Sequence, residues 1–307
     1  MSVAEKPTYS IVVPVFNSEQ TLEELVMRIE RVMSAYPSYE LLLIDDFSHD
    51  DSWKKIKALK GNKPHIRGLR LTKNFGQAAV SICGLHEAKA DILVTIDDDL
   101  QFPPEEIPKL IEAFNPKTHY LICGVPQHKQ LPLLKRIMAT LATSMINKLV
   151  LKDEKKMFFS SFRILTKIAL RRDHYNERRM KNIQVFFNMV SPRLVDYVYV
   201  NHEPRKKGKS NYSLIKKITL FVDMLIVTTE LHTYLFIYLF LVFGFAGLAA
   251  FVYLFFNADS NFAAFVLPVL LTGFGFLFLG LLIVLKYLRQ LFLSHNGVEV
   301  YAIWEEC

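Results

Sequence analysis

Ile92-Leu93-Val94-Thr95-Ile96-Asp97-Asp98-Asp99-Leu100-Gln101 is the stretch on which the reading of this chain turns. Its first five residues are apolar or β-branched and predict a buried strand. Three consecutive carboxylates follow with no turn residue between, so the strand leaves the core straight into an acidic loop. If the backbone stays extended there, Asp97, Asp99 and Gln101 share one face and Asp98 points to the other. Oxygen donors grouped in this way suit a hard divalent cation, Mg2+ or Mn2+, completed by substrate phosphates. Adjacent carboxylates also repel one another, a cost that a cation relieves. An isolated aspartate triplet is as readily a solvated turn ahead of a helix, so the surrounding sequence has to decide.

Working outward, apolar strands alternate with amphipathic helices, the pattern of an α/β domain with a mainly parallel sheet. Tyr9 to Val13 reads as a strand ending at Pro14, followed by a helix with Leu22, Leu25, Val26, Ile29 and Met33 on one face and Ser18 as its N-cap. Further strands are expected at Glu40–Ile44, Ile66–Leu71 and His119–Cys123. Helices are expected around Trp53–Leu59, Gly76–Ala88 and Glu105–Phe114, the last opened by Pro103-Pro104. In such a sheet ligands gather outside the carboxyl ends of the strands, where the acidic loop falls. Pro14 to Glu19 and the turn Asp45-Asp46-Phe47-Ser48-His49-Asp50-Asp51-Ser52 border the same crevice. An aspartate at a strand end can accept from a nucleobase N–H or a ribose hydroxyl. Asp50 and Asp51 are better read as an N-cap for the next helix.

The composition changes beyond residue 230. Of 307 residues 51% are hydrophobic, and the excess is concentrated there. Tyr234–Phe256 carries no charge and would extend roughly 34 Å as a helix, against a hydrocarbon core of about 30 Å. Phe262–Leu285 is a second such run. The link 257–261 has no Lys or Arg, whereas Lys216, Lys217, Lys286 and Arg289 flank the outer ends, which predicts a hairpin with both ends cytoplasmic. The alternative is a buried helix pair in a large soluble core. The amphipathic stretch 131–150 could be a core helix or an interfacial one, and 213–229, directly before the first run, would lie along a membrane surface. The expected division is a catalytic domain over 1–212, a juxtamembrane helix over 213–233, transmembrane helices over 234–256 and 262–285, and a cytoplasmic tail over 286–307. The N-terminus shows no signal peptide. Three cysteines without C-x-x-C spacing give neither a disulfide framework nor a zinc site. The net charge of +7 suits an anionic partner, whether membrane surface, nucleotide or lipid phosphate.

A last constellation is Arg205-Lys206-Lys207-Gly208-Lys209-Ser210-Asn211-Tyr212. Arg and Lys neutralise phosphate, Gly allows close backbone approach and Ser adds a hydroxyl. The plainer alternative is a polybasic segment gripping anionic lipid.

Taken in order, "YSIVVPVFNSEQTL", "LLLIDDFSHDDSW", "LTKNFGQAAV", "TIDDDLQFPPEEIP" and "RKKGKSNY" resemble the polyprenyl-phosphate glycosyltransferases of glycosyltransferase family two, with a GT-A fold. That group includes the dolichyl-phosphate mannose and undecaprenyl-phosphate glucose synthases. The resemblance implies that Asp97 and Asp99, with Gln101, hold the metal and, beside Asp98, the nucleotide diphosphate. It places Asp45 or Asp46 on the nucleobase and Pro14, Asn17 and Glu19 around the nucleoside. Arg163, in "SSFRIL", resembles the family arginine near the transferring phosphates, and Arg205, Lys209 and Ser210 would position phosphate too. Asp98, Lys209, Asn211, His49 and Asp51 depart from the common motif residues, which leaves sugar and nucleotide unassigned.

The implied activity is transfer of a sugar, with inversion, from a nucleotide diphosphate to polyprenyl phosphate by a multi-pass enzyme of the cytoplasmic membrane. The partners are donor, lipid and bilayer, with no nucleic acid; a homo-oligomer is left open. A processive polysaccharide synthase would call for a Q-x-x-R-W motif, and Trp53 and Trp304 stand in no such context. A non-catalytic membrane scaffold is the other rival, against which the intact acidic and basic clusters argue.

Overall fold

The computed structural model describes residues 6–127, 160–167, 192–204 and 301–307, with scattered helical positions between 238 and 288. The chain divides into two compact units, Met1–Asn211 with Glu299–Cys307, and Tyr212–Val298.

The first unit is built on β1 (Tyr9–Val15), α1 (Leu22–Met33), β2 (Tyr39–Asp45), α2 (Ser52–Lys60), β3 (Ile66–Leu71), α3 (Gln77–Glu87), β4 (Ile92–Thr95), α4 (Ile107–Ala113), β5 (Leu121–Pro126), β6 (Arg163–Thr166), β7 (Val195–Val200) and β8 (Ile303–Glu306). They form one sheet in the order β7-β5-β6-β4-β1-β2-β3-β8. β4, β1, β2 and β3 are mutually parallel, β7 is parallel to β5, and β6 and β8 run antiparallel to their neighbours. The mainly parallel sheet expected from the sequence is therefore present.

Strand periodicity sorts the core into two layers. Ile11, Val13, Val15, Leu41 and Leu43 pack with α1, α2 and α4 on one face. Val12, Leu42, Ile44, Leu69 and Leu71 pack with α3 on the other. α3 lies so close that a Cβ on Gly84 would come within 2.2 Å of Val12 Cγ1.

β1 continues through Pro14 to Val15 rather than stopping at Pro14, even though β1 is a central strand. The pairing explains the tolerance. Val12 accepts from Ile96 N on the β4 side, while Val15 accepts from Asp46 N on the β2 side. By the same alternation Pro14 faces β4, where it has no N–H to continue the ladder, and the β1–β4 pairing stops at Val12 and Thr95. The strand order also reverses between β1 and β4, which puts the topological switch point, and the crevice, at their carboxyl ends.

Other boundaries moved for local reasons. Ser18 does not cap α1; that position is Thr21, because the Ser18 hydroxyl is bound to Asp98. The helix expected over Glu105–Phe114 begins as a 3-10 turn, Pro104–Glu106, and becomes α-helical at Ile107, since Pro108 has no N–H to donate back to Pro104. The strand expected at His119–Cys123 starts later, at Leu121, because Thr118 and His119 close a turn onto Asn115 O. The tail 286–307 holds an unforeseen element: β8 pairs antiparallel with β3.

In the second unit, the described positions are helical and leave apolar side chains exposed, among them Phe274, Leu277, Leu281, Val284 and Leu288. No helix of the described residues is long and apolar enough to cross a membrane. Most of the runs 234–256 and 262–285, and all of the stretches 131–150 and 213–229, lie outside the described residues.

Candidate active site

Three loops leave the carboxyl ends of β1, β2 and β4, and each holds one non-glycine residue in the left-handed region: Asn17 (φ 54°), Phe47 (φ 60°) and Leu100 (φ 59°). Asn tolerates this conformation; Phe and Leu do not, at a cost of about 1–2 kcal/mol each. Strain that recurs once per loop around one crevice is a mark of a functional site.

The loops are bound to one another. Asn17 N donates to Ser48 Oγ (3.0 Å), and Asn17 Oδ1 accepts from His49 N (2.8 Å). Ser18 N donates to Ser52 Oγ (2.8 Å). Glu19 Oε2 accepts from Asp51 N (3.1 Å), and Asp50 accepts from both Glu19 N and Ser52 N. Asp51 holds the N-cap position of α2 without a side-chain bond, and its neighbour Asp50 supplies the bond instead. Asn17 and Glu19 thus join the two loops through their own side chains.

Asp45 and Asp46 are buried. Asp45 accepts from Ser48 N and lies 3.1 Å from Arg70 Nε. Asp46 accepts from Phe75 N (2.8 Å) and Gly76 N (2.9 Å), which fixes the loop after β3. Desolvation raises the pKa of both carboxyls in spite of those bonds.

The acidic loop divides its labour. The backbone does not stay extended here: β4 ends at Thr95 and Asp98–Asp99 form a turn, so it is the turn that aims Asp98 at the β1 loop, where it accepts from Phe16 N (2.9 Å) and the Ser18 hydroxyl. It ties the β4 loop to the β1 loop, helped by Thr21 Oγ1 donating to Asp98 O (2.7 Å). Asp97 accepts from Gln77 Nε2 (2.7 Å) and from the Ser161 hydroxyl. Asp99 accepts from Gln101 N (3.0 Å) in a local turn. All three remain partly exposed. Burial raises Asp97, with Asp99 adding to the rise against Ser161, Arg163 and Gln77. Burial, with the charges of Asp97 and Asp99, pushes Asp98 up to about 7 despite the Ser18 and Phe16 bonds.

Arg163 stands on β6 opposite Thr95, and its charge acts on Asp97. Antiparallel pairing thereby brings an arginine 66 positions away in sequence to the mouth of β4. The segment after β7 arrives at the same place. Glu203 N donates to Gln101 O (2.8 Å), and His202 meets Phe102 edge-on at 5.0 Å. Arg205, Lys209 and Ser210 lie outside the described residues.

Of the sequence-derived site residues, Pro14, Asn17, Glu19, Asp45, Asp46, Asp97, Asp98, Asp99, Gln101 and Arg163 all fall on the loops or strand ends around this crevice. Gln77, Ser161 and Arg70 were not anticipated. Gln77 and Ser161 sit inside the quoted stretches "LTKNFGQAAV" and "SSFRIL", but nothing in their spacing points to Asp97.

Among the described residues no three His, Cys, Asp or Glu side chains converge into a ready-made metal cage. The donor set fits a different kind of site. Three successive carboxylates follow β4, the charge of Arg163 acts on Asp97, and Asp97 and Asp98 are both held above the usual carboxylate range. Such a carboxylate-rich loop suits a cation bound through one or two carboxylates and completed by substrate phosphates.

Residues 10–179 match the family model Glycosyl transferase family 2, and this chain belongs to that family of glycosyltransferases. It is 31% identical to an undecaprenyl-phosphate 4-deoxy-4-formamido-L-arabinose transferase of Klebsiella pneumoniae (strain 342), over 73% of this chain and 68% of the relative. The enzyme of the same name from Yersinia enterocolitica is 32% identical over 76% of this chain and 72% of its own length. The fold is GT-A-like: glucosyl-3-phosphoglycerate synthase of Mycobacterium tuberculosis, solved with Mn2+ and UDP-glucose, superposes with TM-score 0.52 at 15% identity, over 72% of this chain and 79% of that one.

Proposed function

We propose that this chain transfers a sugar, with inversion, from a nucleotide diphosphate to the phosphate of a polyprenyl lipid, undecaprenyl phosphate in a bacterium, at the cytoplasmic face of a membrane. The product would supply lipid-linked sugar for cell-envelope glycan. The observation that carries this reading is the bond from Glu203 N to Gln101 O. It runs the chain beside the acidic loop immediately before Arg205-Lys206-Lys207. In sequence, then, a run of cations follows directly on a segment that is bonded to the acidic loop. One group can serve a metal–diphosphate, the other a second phosphate. Both curated relatives are named for transfer to undecaprenyl phosphate.

In this reading Asp99 and Asp97, with Gln101, hold Mg2+ or Mn2+, which stabilises the departing diphosphate. The mycobacterial synthase of the same fold carries Mn2+ with its UDP-sugar. Asp98 fixes the loops of β4 and β1 to each other, and Asp45 and Asp46 hold the nucleoside end. Arg163, Arg205, Lys209 and Ser210 orient phosphate. The acceptor needs no strong general base, because a phosphate monoester with a second pKa near 6 is largely ionised at neutral pH.

The two apolar runs are proposed to form a membrane hairpin. β8 lies in the same sheet as β1 to β7, so the segment between must begin and end on one side of any bilayer it crosses. Exposed Phe274, Leu277, Leu281, Val284 and Leu288 suit contact with lipid.

The test is to incubate membranes carrying the chain with a panel of sugar nucleotides, undecaprenyl phosphate and Mn2+, and to weigh the lipid product. One donor should give a glycosyl phospholipid. A product formed only on a free sugar, or none with any donor, overturns the proposal.

A further inference from the structure

β8 reaches the sheet from beyond the apolar segment, and its seat on β3 is built to receive it. Gly68 and Cys307 exchange both backbone hydrogen bonds at 2.9 Å. A Cβ on Gly68 would meet Cys307 Sγ at 2.7 Å and Ile56 Cγ2 at 2.4 Å, so only glycine lets the segment lie this close. Glu306 accepts from Arg67 Nη2 (2.9 Å), and Glu305 accepts from Trp53 Nε1 (2.8 Å) and Lys57 Nζ (3.3 Å).

Between these anchored residues Trp304 remains 63% exposed. It is not idle. Its ring stacks on Phe47 at 6.0 Å and 27°. The Arg70 guanidinium lies 5.5 Å from the Trp304 ring and 5.3 Å from that of Phe47. Arg70 in turn holds the turn after β2, with Nε 3.1 Å from Asp45 and Nη2 donating to Ser48 O (3.3 Å). Phe47 is the left-handed residue of that turn.

We propose that Trp304 is a positioning residue for the nucleoside end of the donor, acting through Arg70 and Phe47 on the Asp45–Ser48 turn. This rests on the donor reading given above. Buried Asp45 needs its cation partner, and Arg70 keeps that position because aromatic faces confine it. Without the indole, Arg70 is open to solvent on that side, and the strained turn loses its brace. The phosphate end of the crevice, at β4, is three strand spacings from β3, roughly 14 Å, and is not touched. A strand that follows the apolar segment therefore tunes donor binding without meeting the acceptor.

The experiment uses the full chain in detergent micelles. Calorimetry measures Kd for UDP and for GDP, each with Mn2+, and separately for undecaprenyl phosphate. Trp304→Ala should weaken the better-bound nucleotide roughly three- to tenfold, the size of one partly desolvated cation–π contact. Undecaprenyl phosphate should bind as before, and Trp304→Phe, which keeps an aromatic face, should restore most of the nucleotide affinity. Unchanged nucleotide affinity in Trp304→Ala overturns the inference and leaves the donor reading standing. So does an equal loss of nucleotide and lipid binding in both variants, which would mark a general structural role. Where the wild-type chain binds neither, the calorimetry is repeated with CDP, ADP and dTDP, and failure with all five removes the donor reading and this inference with it.

Discussion

The two ends of the parallel sheet both bury carboxylates, and they treat them differently. At the amino end Glu40, 4% exposed, accepts from Ser10 Oγ (2.5 Å) and from Lys89 N, and pairs with Arg67 at 3.3 Å. Ser10 accepts from Ala90 N (3.0 Å) in turn. Arg67 serves both Glu40 and Glu306, and no residue beside them lies in the left-handed region. At the carboxyl end the charge of Arg163 acts on Asp97, Asp97 and Asp98 are both displaced upward, and the loops hold Asn17, Phe47 and Leu100 in the left-handed region. The carboxylate at the amino end lies on regular strand, as part of the scaffold. Those at the carboxyl end follow strained loops at the switch point, where the proposed metal–diphosphate would bind.

The sharpest way to break this contrast is Asp99→Ala, which should lower kcat about 1,000-fold while the thermal midpoint hardly moves; several kcal/mol of leaving-group stabilisation is at stake. Exhaustive chelation of the wild-type enzyme should do the same, and a chelated enzyme that keeps its rate would dissolve the distinction. Glu40→Ala is the mirror image. Arg67 would keep Glu306, but the Ser10 hydroxyl and Lys89 N would lose their acceptor, which should cost about 2 kcal/mol of stability, read by denaturant unfolding. The folded fraction should keep wild-type kcat and KM. The smallest effect is expected of Asp98→Asn, since an amide oxygen can still accept from Phe16 N and the Ser18 hydroxyl. Activity should fall tenfold or less, and a loss as deep as that of Asp99→Ala would move Asp98 from tying the loops to binding the ligand.

Much of the scaffold was legible because its signals are local. β3 was legible near Ile66–Leu71 from its place between two helices, and α2 and α3 to within a residue or two. Misplacements arose where a side chain had a distant partner. Ser18 has the residue type of an N-cap but is drawn to Asp98, 80 positions away. Pro14 looks like a strand end until the β4 ladder is seen to stop short of it. In the site, the place of Asp97 to Asp99 at a strand end was legible, but their directions were not, because a turn at Asp98–Asp99 replaces the extended backbone that a 2-residue period needs; Gln77 and Ser161 became visible only when folding set them against Asp97. β8 had no periodicity to reveal it: four residues after a long apolar segment read as a tail.

By itself the sequence determined the class of fold, the acidic loop at a strand end and the family, because hydrophobic period and contiguous motifs are properties of short stretches. Tertiary structure alone decided which partners the carboxylates meet, which arginine stands beside Asp97, and that residues 303–306 return to pair with β3 and stack Trp304 on Phe47. Those are matters of pairing between strands far apart in the chain, and the free energy that selects such pairings comes from burial and charge compensation that exist only once the sheet has closed.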